Sequence, residues 1–554
     1  MQTRVGALAQ IAHSASLRRA QLSFGVMWAG EWAVMIALGV VAFRDGGAAA
    51  VGVVTAVRMV PAALLAPFAA TLADTVRRER VLAWIGLIRA ATLGSAAALL
   101  AVGGPAGAVY CLAIVATVAQ TLYRPAHSAL LPALCASPQQ LTSANMVRGM
   151  LDSLATLGGP LAAAVLLATS GPAAVFAACA AASLLAGLLV IALPYDPPPR
   201  GQRSARIDAR AVLQGFETIA ADRNLRLITG LTTAQTFTRG CLSVLSVVVA
   251  IDLLDTGEAG VGVLNAAVGA GAVLGSIVAF RLVRRGGLAM WFGLGVALWG
   301  APLAVLGVVP EPVAAIALLA VVGIGNALVD VGAFTLPARL ADEAVMARVF
   351  AGFEAILTLG VAAGALLTPL VIDLLGVRFT LVAVGLVAPL AAGAGWAALR
   401  RLDAHMQVRD ADIELLQEVP MLSALSQATI EQLAAALQHA EIAPGRAVFK
   451  QGEPGERFYI VEAGGADVLR DSRTVETLGR GDCFGEIALL RDCVRTATVR
   501  ASAAAPLRVS VLPRTPFLTA VTGYPASATA GERIVTARLE ALAVQPPPTA
   551  DSGA

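Results

Sequence analysis

The chain has 554 residues, of which 57% are hydrophobic and only 14% charged, and its formal net charge is +3. Soluble domains carry about 25% charged residues, so this composition excludes an ordinary soluble enzyme. So small a net charge, with no large Arg/Lys cluster, also excludes a nucleic-acid partner gripped by its phosphates. The apolar excess lies in residues 17–399, and charged and polar residues return from Arg400 onward. Lys450 is the only lysine, an arginine bias that points to a GC-rich, bacterial genome. The cysteines at 111, 135, 179, 241, 483 and 493 include no C-x-x-C and have no histidine at metal spacing, so neither a metal site nor a disulfide framework is expected. The first apolar run follows Arg18 and Arg19 without a small-residue cleavage site, so no cleavable signal is expected.

A bilayer crossing needs about 20 mostly apolar residues. Twelve such segments run in chain order: 20–43, 49–73, 80–103, 107–132, 144–168, 172–194, 225–251, 259–283, 287–309, 312–337, 347–372 and 377–399. The breaks between them alternate. One set is short and nearly free of arginine, as at 103–107, 255–258 and 310–312. The other carries Arg77, Arg78 and Arg80, then Arg200, Arg203, Arg206 and Arg210, then Arg281, Arg284 and Arg285, then Arg400 and Arg401. The positive-inside rule puts the arginine-rich set, and both termini, on the cytoplasmic side.

The long polar break at 195–224 contains Pro197-Pro198-Pro199 and divides the spans into two sets of six, 1–194 and 225–402. The halves share short strings in the same order: Val51-Gly52-Val53 recurs as Val261-Gly262-Val263, Leu131-Pro132-Ala133 as Leu336-Pro337-Ala338, and Thr156-Leu157-Gly158 as Thr358-Leu359-Gly360. Two parallel six-helix bundles around a cytoplasmic loop are the layout of a secondary transporter. Over residues 18–400 the chain resembles the major facilitator superfamily. Asp74 followed by Arg77, Arg78 and Arg80 is similar to that family's cytoplasmic gate loop, although Ala70 stands where the family has Gly, Thr75 replaces a basic residue and Arg77 a Gly. Leu157-Gly158-Gly159-Pro160 resembles the Gly-Pro motif of family exporters, where small residues let helices approach and proline bends them.

Ionisable residues inside spans are costly and face bundle interiors, so each is a candidate site. They are Glu31, Arg58, Arg89, Arg124, Arg148 and Asp152 in the first half, and Arg239, Asp330 and Glu354 in the second. Glu31 lies mid-span with no charge within ten residues. A carboxylate buried there suits proton exchange; the alternative is a fixed ion pair with Arg58, Arg89 or Arg124. Arg124 is placed either to hold an anionic substrate or to partner Glu31. Asp152 and Glu354 occupy equivalent places, six residues before Gly158 and Gly360, and read either as a coupling pair or as partners of Arg148 and Arg348, of which only the i−4 spacing to Arg148 is helical. Asp330 and Asn326 share a helix face. No G-x-S-x-G, H-E-x-x-H or Walker motif is present, so neither hydrolysis nor ATP drive is expected.

After an amphipathic linker at 403–420, residues 421–545 change period. Helical spacing through Leu425, Ile430, Leu433 and Leu437 gives way to short apolar runs between Gly-rich turns, the pattern of an antiparallel jelly roll. A last helical stretch at 531–542 precedes a Pro-rich end at 546–554, expected to be disordered. The run Cys-Phe-Gly-Glu-Ile-Ala-Leu-Leu from Cys483, followed by Arg495-Thr496-Ala497, suits a cyclic phosphodiester. Arg495 offers a bidentate fork to the phosphate, Gly485 admits close backbone approach, Phe484, Ile487 and Ala488 frame a short helix start, and Glu486 is an acceptor for the ribose 2′-hydroxyl. This segment closely resembles the phosphate-binding cassette of the cyclic-nucleotide-binding domain family, and the likeness extends over residues 420–543, including Gly455, Phe458-Tyr459-Ile460 and Gly464. The resemblance implies cAMP or cGMP as regulatory ligand, with cAMP favoured as the commoner bacterial messenger and Thr496 permissive for both. Within the final helix, Arg533, Ile534, Arg538 or Leu539 is the candidate to cap the base.

The expected fold is an all-α membrane protein of twelve transmembrane helices in two six-helix bundles, followed by a cytoplasmic β jelly roll with flanking helices, in a bacterial inner membrane. The expected function is gradient-driven efflux of small organic molecules, regulated by cyclic nucleotide. Alternatives are a membrane-anchored nucleotide receptor without transport, and a lipid or lysophospholipid transporter. The expected partners are a small-molecule substrate, cyclic nucleotide and lipid bilayer, with a homodimer as a further option and no nucleic acid.

Overall fold

The computed structural model describes residues 14–543, apart from 76, 136–137, 192, 194–208, 284–286, 341–344, 424, 426 and 472. The chain forms two compact units, Met1–Asp403 and Ala404–Ala554. The first is helical: α1 (Ala15–Thr75), α2 (Arg78–Ala101), α3 (Ala106–Thr121), α4 (Tyr123–Leu134), α5 (Pro138–Val190), α6 (Ala209–Ala221), α7 (Arg223–Val248) with a π-helical extension at Val249–Leu253, α8 (Gly257–Val283), α9 (Leu288–Val308), α10 (Pro312–Leu340) and α11 (Met346–Glu418), whose last residues belong to the second unit. Nine helices among the described residues are long and apolar enough to cross a membrane. Three of the longest are broken by glycines in conformations no helix contains: α1 at Gly46 and Gly47 (φ 59°), α5 at Gly171 (φ 76°) and α11 at Gly376 (φ 77°). Only glycine enters that region without steric cost, so each of these helices is two rods joined by a tight reversal. Large apolar side chains such as Leu184, Leu188, Leu374, Phe379 and Leu390 stand exposed on the outside, as lipid requires and water does not.

The two halves of this unit meet through small residues. A Cβ on Gly52 would lie 2.5 Å from the Ala365 carbonyl oxygen, so the second rod of α1 packs backbone to backbone on the first rod of α11. A Cβ on Gly262 would lie 2.6 Å from the carbonyl oxygen of Pro160, which places α8 against α5 in the same manner. The repeated Val-Gly-Val string therefore has one role in each half: its glycine lets a helix approach the opposite half closely. Arg44 pairs with Glu258 across the halves at the end where α1 turns back.

In the second unit, α12 (Gln427–Ala436) leads into β1 (Gln438–Ile442), β2 (Ala447–Phe449), β3 (Arg457–Ala463), β4 (Ala466–Arg470), β5 (Arg473–Leu478), β6 (Cys483–Phe484), α13 (Glu486–Leu490), β7 (Thr498–Ala501), β8 (Leu507–Pro513), α14 (Arg514–Thr522) and α15 (Pro525–Ala543). Two antiparallel four-stranded sheets, ordered β1-β8-β3-β6 and β2-β7-β4-β5, make a sandwich. Alternation along β3 sorts its side chains into two cores. Phe458 and Ile460 face the helices, where Phe458 stacks on Phe517 with ring centroids 4.3 Å apart, while Val461 joins Phe484, Val499 and Val509 between the sheets.

Gly262→Val would drive two branch methyls into the α5 backbone, where neither partner can yield. A loss of about 1–3 kcal/mol is expected, read as a lower thermal midpoint of the detergent-solubilised chain. A second expectation concerns pH. His439 Nδ1 lies 2.6 Å from Glu462 Oε1 and its Nε2 lies 3.5 Å from Asp412 Oδ2. The hydrogen bond to Glu462, against some burial and with help from Asp412, raises the His439 pKa above its ordinary 6.5. The folded state thus holds the proton more tightly, so this contribution is complete below 6.5 and is lost as pH rises through the raised value. The urea midpoint of the tail, read from a fluorophore on exposed Cys493 in a Cys111→Ser background, is expected to fall across that window, and His439→Asn is expected to flatten the fall.

Candidate nucleotide pocket and buried charges

The short strand β6 ends at Gly485, whose φ of 89° turns the chain sharply into the five-residue helix α13. A Cβ on Gly485 would lie 2.6 Å from Arg495 Nη1, so both the backbone angle and the space demand glycine. Arg495, 4% exposed, stands between α13 and β7. Its Nη1 donates to the Gly485 carbonyl (2.9 Å) and its Nη2 to the Arg457 carbonyl (2.8 Å), which aims the guanidinium. The guanidinium carbon sits 4.1 Å from the Phe449 ring centroid, a cation–π contact that stiffens it further. Its Nε is buried with no hydrogen-bond partner. Burial lowers the Arg495 pKa from its ordinary value, and Tyr459, Glu486, Glu453 and Glu456 work against that fall.

Glu486 is 1% exposed and divides its two oxygens. Oε1 accepts from Arg538 Nη1 at 2.8 Å, and Oε2 is buried without a partner. Arg538 Nη1 also donates to the Cys483 carbonyl at 2.7 Å, so the final helix α15 is pinned to the start of the cassette. Burial opposes charge on Arg538, but Glu486, Cys483 and Glu476 together outweigh it and hold the guanidinium above its ordinary pKa. Burial also pushes the Cys483 thiol up to about 12, which makes it an inert core residue.

These groups line one cavity of about 610 Å³. All eight residues named from the sequence, Phe484, Gly485, Glu486, Ile487, Ala488, Arg495, Thr496 and Ala497, border it. The sequence did not reveal the apolar wall from β2, β4, β5 and β7, with Phe449, Val468, Val475, Leu478 and Val499, because the partners of short strands are set by sheet pairing. Of the four candidates in the last helix, only Arg538 borders the cavity, and Ile534 packs into the helix-facing core instead. A buried cation, a carboxylate with one unused oxygen and an apolar wall suit an anion that carries a hydroxyl and a flat ring.

In the helical unit the charges sort into two groups. Glu31 Oε2 lies 2.8 Å from Arg89 Nη1, an ion pair without hydrogen-bond geometry, while Arg89, fully buried, donates to the Ala116 carbonyl at 3.1 Å. Of the three partners open to Glu31, the fold selects Arg89. Arg58, 3% exposed, feels the charges of Glu31 and Arg89. The second group spans both halves: Asp152 Oδ2 lies 3.6 Å from Arg124 Nη2, Arg124 lies over the Trp28 ring at 5.3 Å, and Asp152, Asp330 and Glu354 all lie in electrostatic reach of Arg124 and Arg239. The helical spacing of Arg148 and Asp152 is not used as an ion pair. Arg148 donates instead to Ser128 Oγ (2.5 Å) on α4, because packing against a neighbouring helix offers it a nearer acceptor, and Arg348 donates to Gln214 Oε1 (2.7 Å). Asn326 Nδ2 donates to Asp330 Oδ2 at 2.7 Å. At the expected gate, Arg77 bonds Glu79 and Arg78 donates to the Ala129 carbonyl (2.6 Å), while the Asp74 side chain lies outside the described residues.

The sequence profile of the Major Facilitator Superfamily matches residues 22–342. The chain belongs to the Major Facilitator Superfamily. A second profile, the cyclic nucleotide-binding domain, matches residues 440–524, so this superfamily member carries a nucleotide-binding module in its tail. The tail is similar to the cAMP-dependent protein kinase regulatory subunit of Yarrowia lipolytica, 43% identical over 118 residues that cover 21% of this chain and 31% of that protein. It is also similar to the cGMP-dependent protein kinase of Toxoplasma gondii, 39% identical over 109 residues, 18% of this chain and 11% of that protein. The chain thus spans less than a third of either relative. Among solved structures, the regulatory domain of Toxoplasma gondii PKA with cAMP aligns at 27% identity over 23% of this chain and 47% of that one, with a TM-score of 0.20.

Arg538→Ala would leave Glu486 a buried carboxylate without the guanidinium that bonds it. Removal of one member of a buried pair costs about 3 kcal/mol or more, so the tail of this superfamily member is expected to unfold at lower temperature. The double variant Arg538→Ala with Glu486→Gln is expected to recover most of that loss in the same measurement.

Proposed function

We propose that this protein is a secondary active transporter of small organic molecules whose activity is set by cyclic nucleotide bound to its tail, with cAMP favoured over cGMP. The observation that carries the reading is the pair of unused buried atoms, Glu486 Oε2 and Arg495 Nε, on two residues that line one cavity. Arg495 would take the cyclic phosphate, Glu486 the ribose hydroxyl, and the apolar wall the base; the curated relatives named for cAMP support that nucleotide. Arg538 ties the final helix to Glu486, so a ribose engaging that carboxylate would change the hold on α15. Passage of that change to the membrane unit is an allosteric coupling, typically about 1–3 kcal/mol.

Nine long apolar helices among the described residues, three of them broken in two, support twelve crossings in two halves, 1–194 and 225–402, around the loop at 195–224. The linker at 403–420, the module at 421–545 and both termini are assigned to the cytoplasm by the arginine-rich loops. The charges kept inside the helical unit favour transport over a membrane-anchored receptor, since a mere anchor has no use for them.

Titration calorimetry of the full chain with cAMP and cGMP, followed by flux measurements in proteoliposomes with and without nucleotide, tests the reading. Arg495→Ala is expected to weaken nucleotide binding roughly a hundredfold, the equivalent of about 2.7 kcal/mol. It is also expected to abolish any effect of nucleotide on flux. Wild-type protein that binds neither nucleotide would end the regulatory reading, and flux indifferent to bound nucleotide would leave a sensor without this output.

A further inference from the structure

A second cavity, about 510 Å³, lies inside the helical unit where the two halves meet. Both rods of α1 line it from the first half, and α7 and α8 from the second. Its walls are largely apolar, Met35 and Val247 among them, with Thr55, Ser243, Ser246 and Asn265 as the uncharged polar groups and Arg58 as the charge. Arg58 is 3% exposed, and its Nε is buried with no hydrogen-bond partner. The charged groups acting on it are Glu31 and Arg89, and Glu31 is already paired with Arg89 at 2.8 Å. Among the described residues, two guanidiniums therefore share one carboxylate, which leaves one positive charge uncompensated beside an apolar cavity. An unpaired charge withdrawn from water and set at membrane depth is costly unless an opposite charge meets it. The group of Arg124, Arg148, Asp152, Arg239, Asp330 and Glu354 has no such excess, because its three carboxylates match its three guanidiniums.

We infer that this cavity is a binding site for an organic anion, with Arg58 as the residue that takes its carboxylate, sulfonate or phosphonate group and the apolar walls its carbon skeleton. This deepens the transport reading by naming a substrate class, and rests on that reading only for the claim that the bound anion is carried. A planar guanidinium suits such groups because it donates in a fork.

The test uses the full chain in detergent, without nucleotide. Benzoate and benzenesulfonate are compared with uncharged benzamide, cationic benzylamine, chloride and inorganic phosphate, and thermal midpoints are followed with ligand concentration. The two organic anions are expected to raise the wild-type midpoint, and the other probes are not. Arg58→Gln is expected to weaken benzoate at least tenfold, Arg58→Lys to keep part of the response, and Arg58→Gln without ligand to melt no lower than wild type. No stabilisation by either organic anion overturns the inference, as does an unchanged response in Arg58→Gln. An Arg58→Gln protein that melts lower than wild type without ligand would assign Arg58 to structure and overturn it as well. Stabilisation by chloride or phosphate alone overturns the organic substrate class. Anion binding without flux in proteoliposomes would end the transport reading and leave the site standing; flux of benzamide or benzylamine without anion binding would do the reverse.

Discussion

A charge taken out of water must be met by another charge or by hydrogen bonds, and both units of this protein are organised around that requirement. In the tail, Glu486 is almost fully buried and depends on Arg538, while Arg495 depends on two backbone carbonyls and an aromatic face. In the helical unit, Arg89 is fully buried and depends on Glu31 and the Ala116 carbonyl. In each place the accounting is left incomplete: Glu486 Oε2 and Arg495 Nε in the tail, and Arg58 Nε in the helical unit, are buried without a hydrogen-bond partner.

The scaffolds that hold these groups follow from different physics. The sandwich owes its two cores to strand alternation, which sends Phe458 and Ile460 to the helices and Val461 and its neighbours between the sheets. That double anchorage keeps β6 and Gly485 in place, so the Arg495 fork has a rigid seat. The helical unit has no comparable hydrophobic drive between helices in lipid, and its halves meet through glycines that let backbones touch. Gly52 and Gly262 play matching parts in the two halves, which explains the repeated tripeptide in structural terms.

The two units also differ in how a ligand would act on them. In the tail, Glu486 joins the cassette to Arg538 of the final helix, so a ligand that engaged this carboxylate would compete with the hold on that helix. In the helical unit the second cavity is bordered by α1 of the first half and by α7 and α8 of the second, so anything held there would contact both. Small solutes bound at such junctions bias a conformational equilibrium only through differential contacts with the two states.

Much of this was written in the sequence. Long apolar helices follow from apolar length, and the cassette from the fixed spacing of Gly485, Glu486 and Arg495, because both are local patterns along the chain. The partners were not. Three arginines were open to Glu31, and packing of α2 beside α1 decided for Arg89. Helical spacing offered Arg148 to Asp152, and the neighbouring helices decided for Ser128 and Arg124 instead. Four residues of the last helix were equivalent on paper until docking of α15 turned Arg538 toward Glu486. Sequence by itself determined which segments are helical or extended and which residues are costly to bury, since propensity and hydropathy are local. Only the tertiary structure decided which of those residues meet and which remain unmet, since ion pairs and cavities form between segments far apart in the chain.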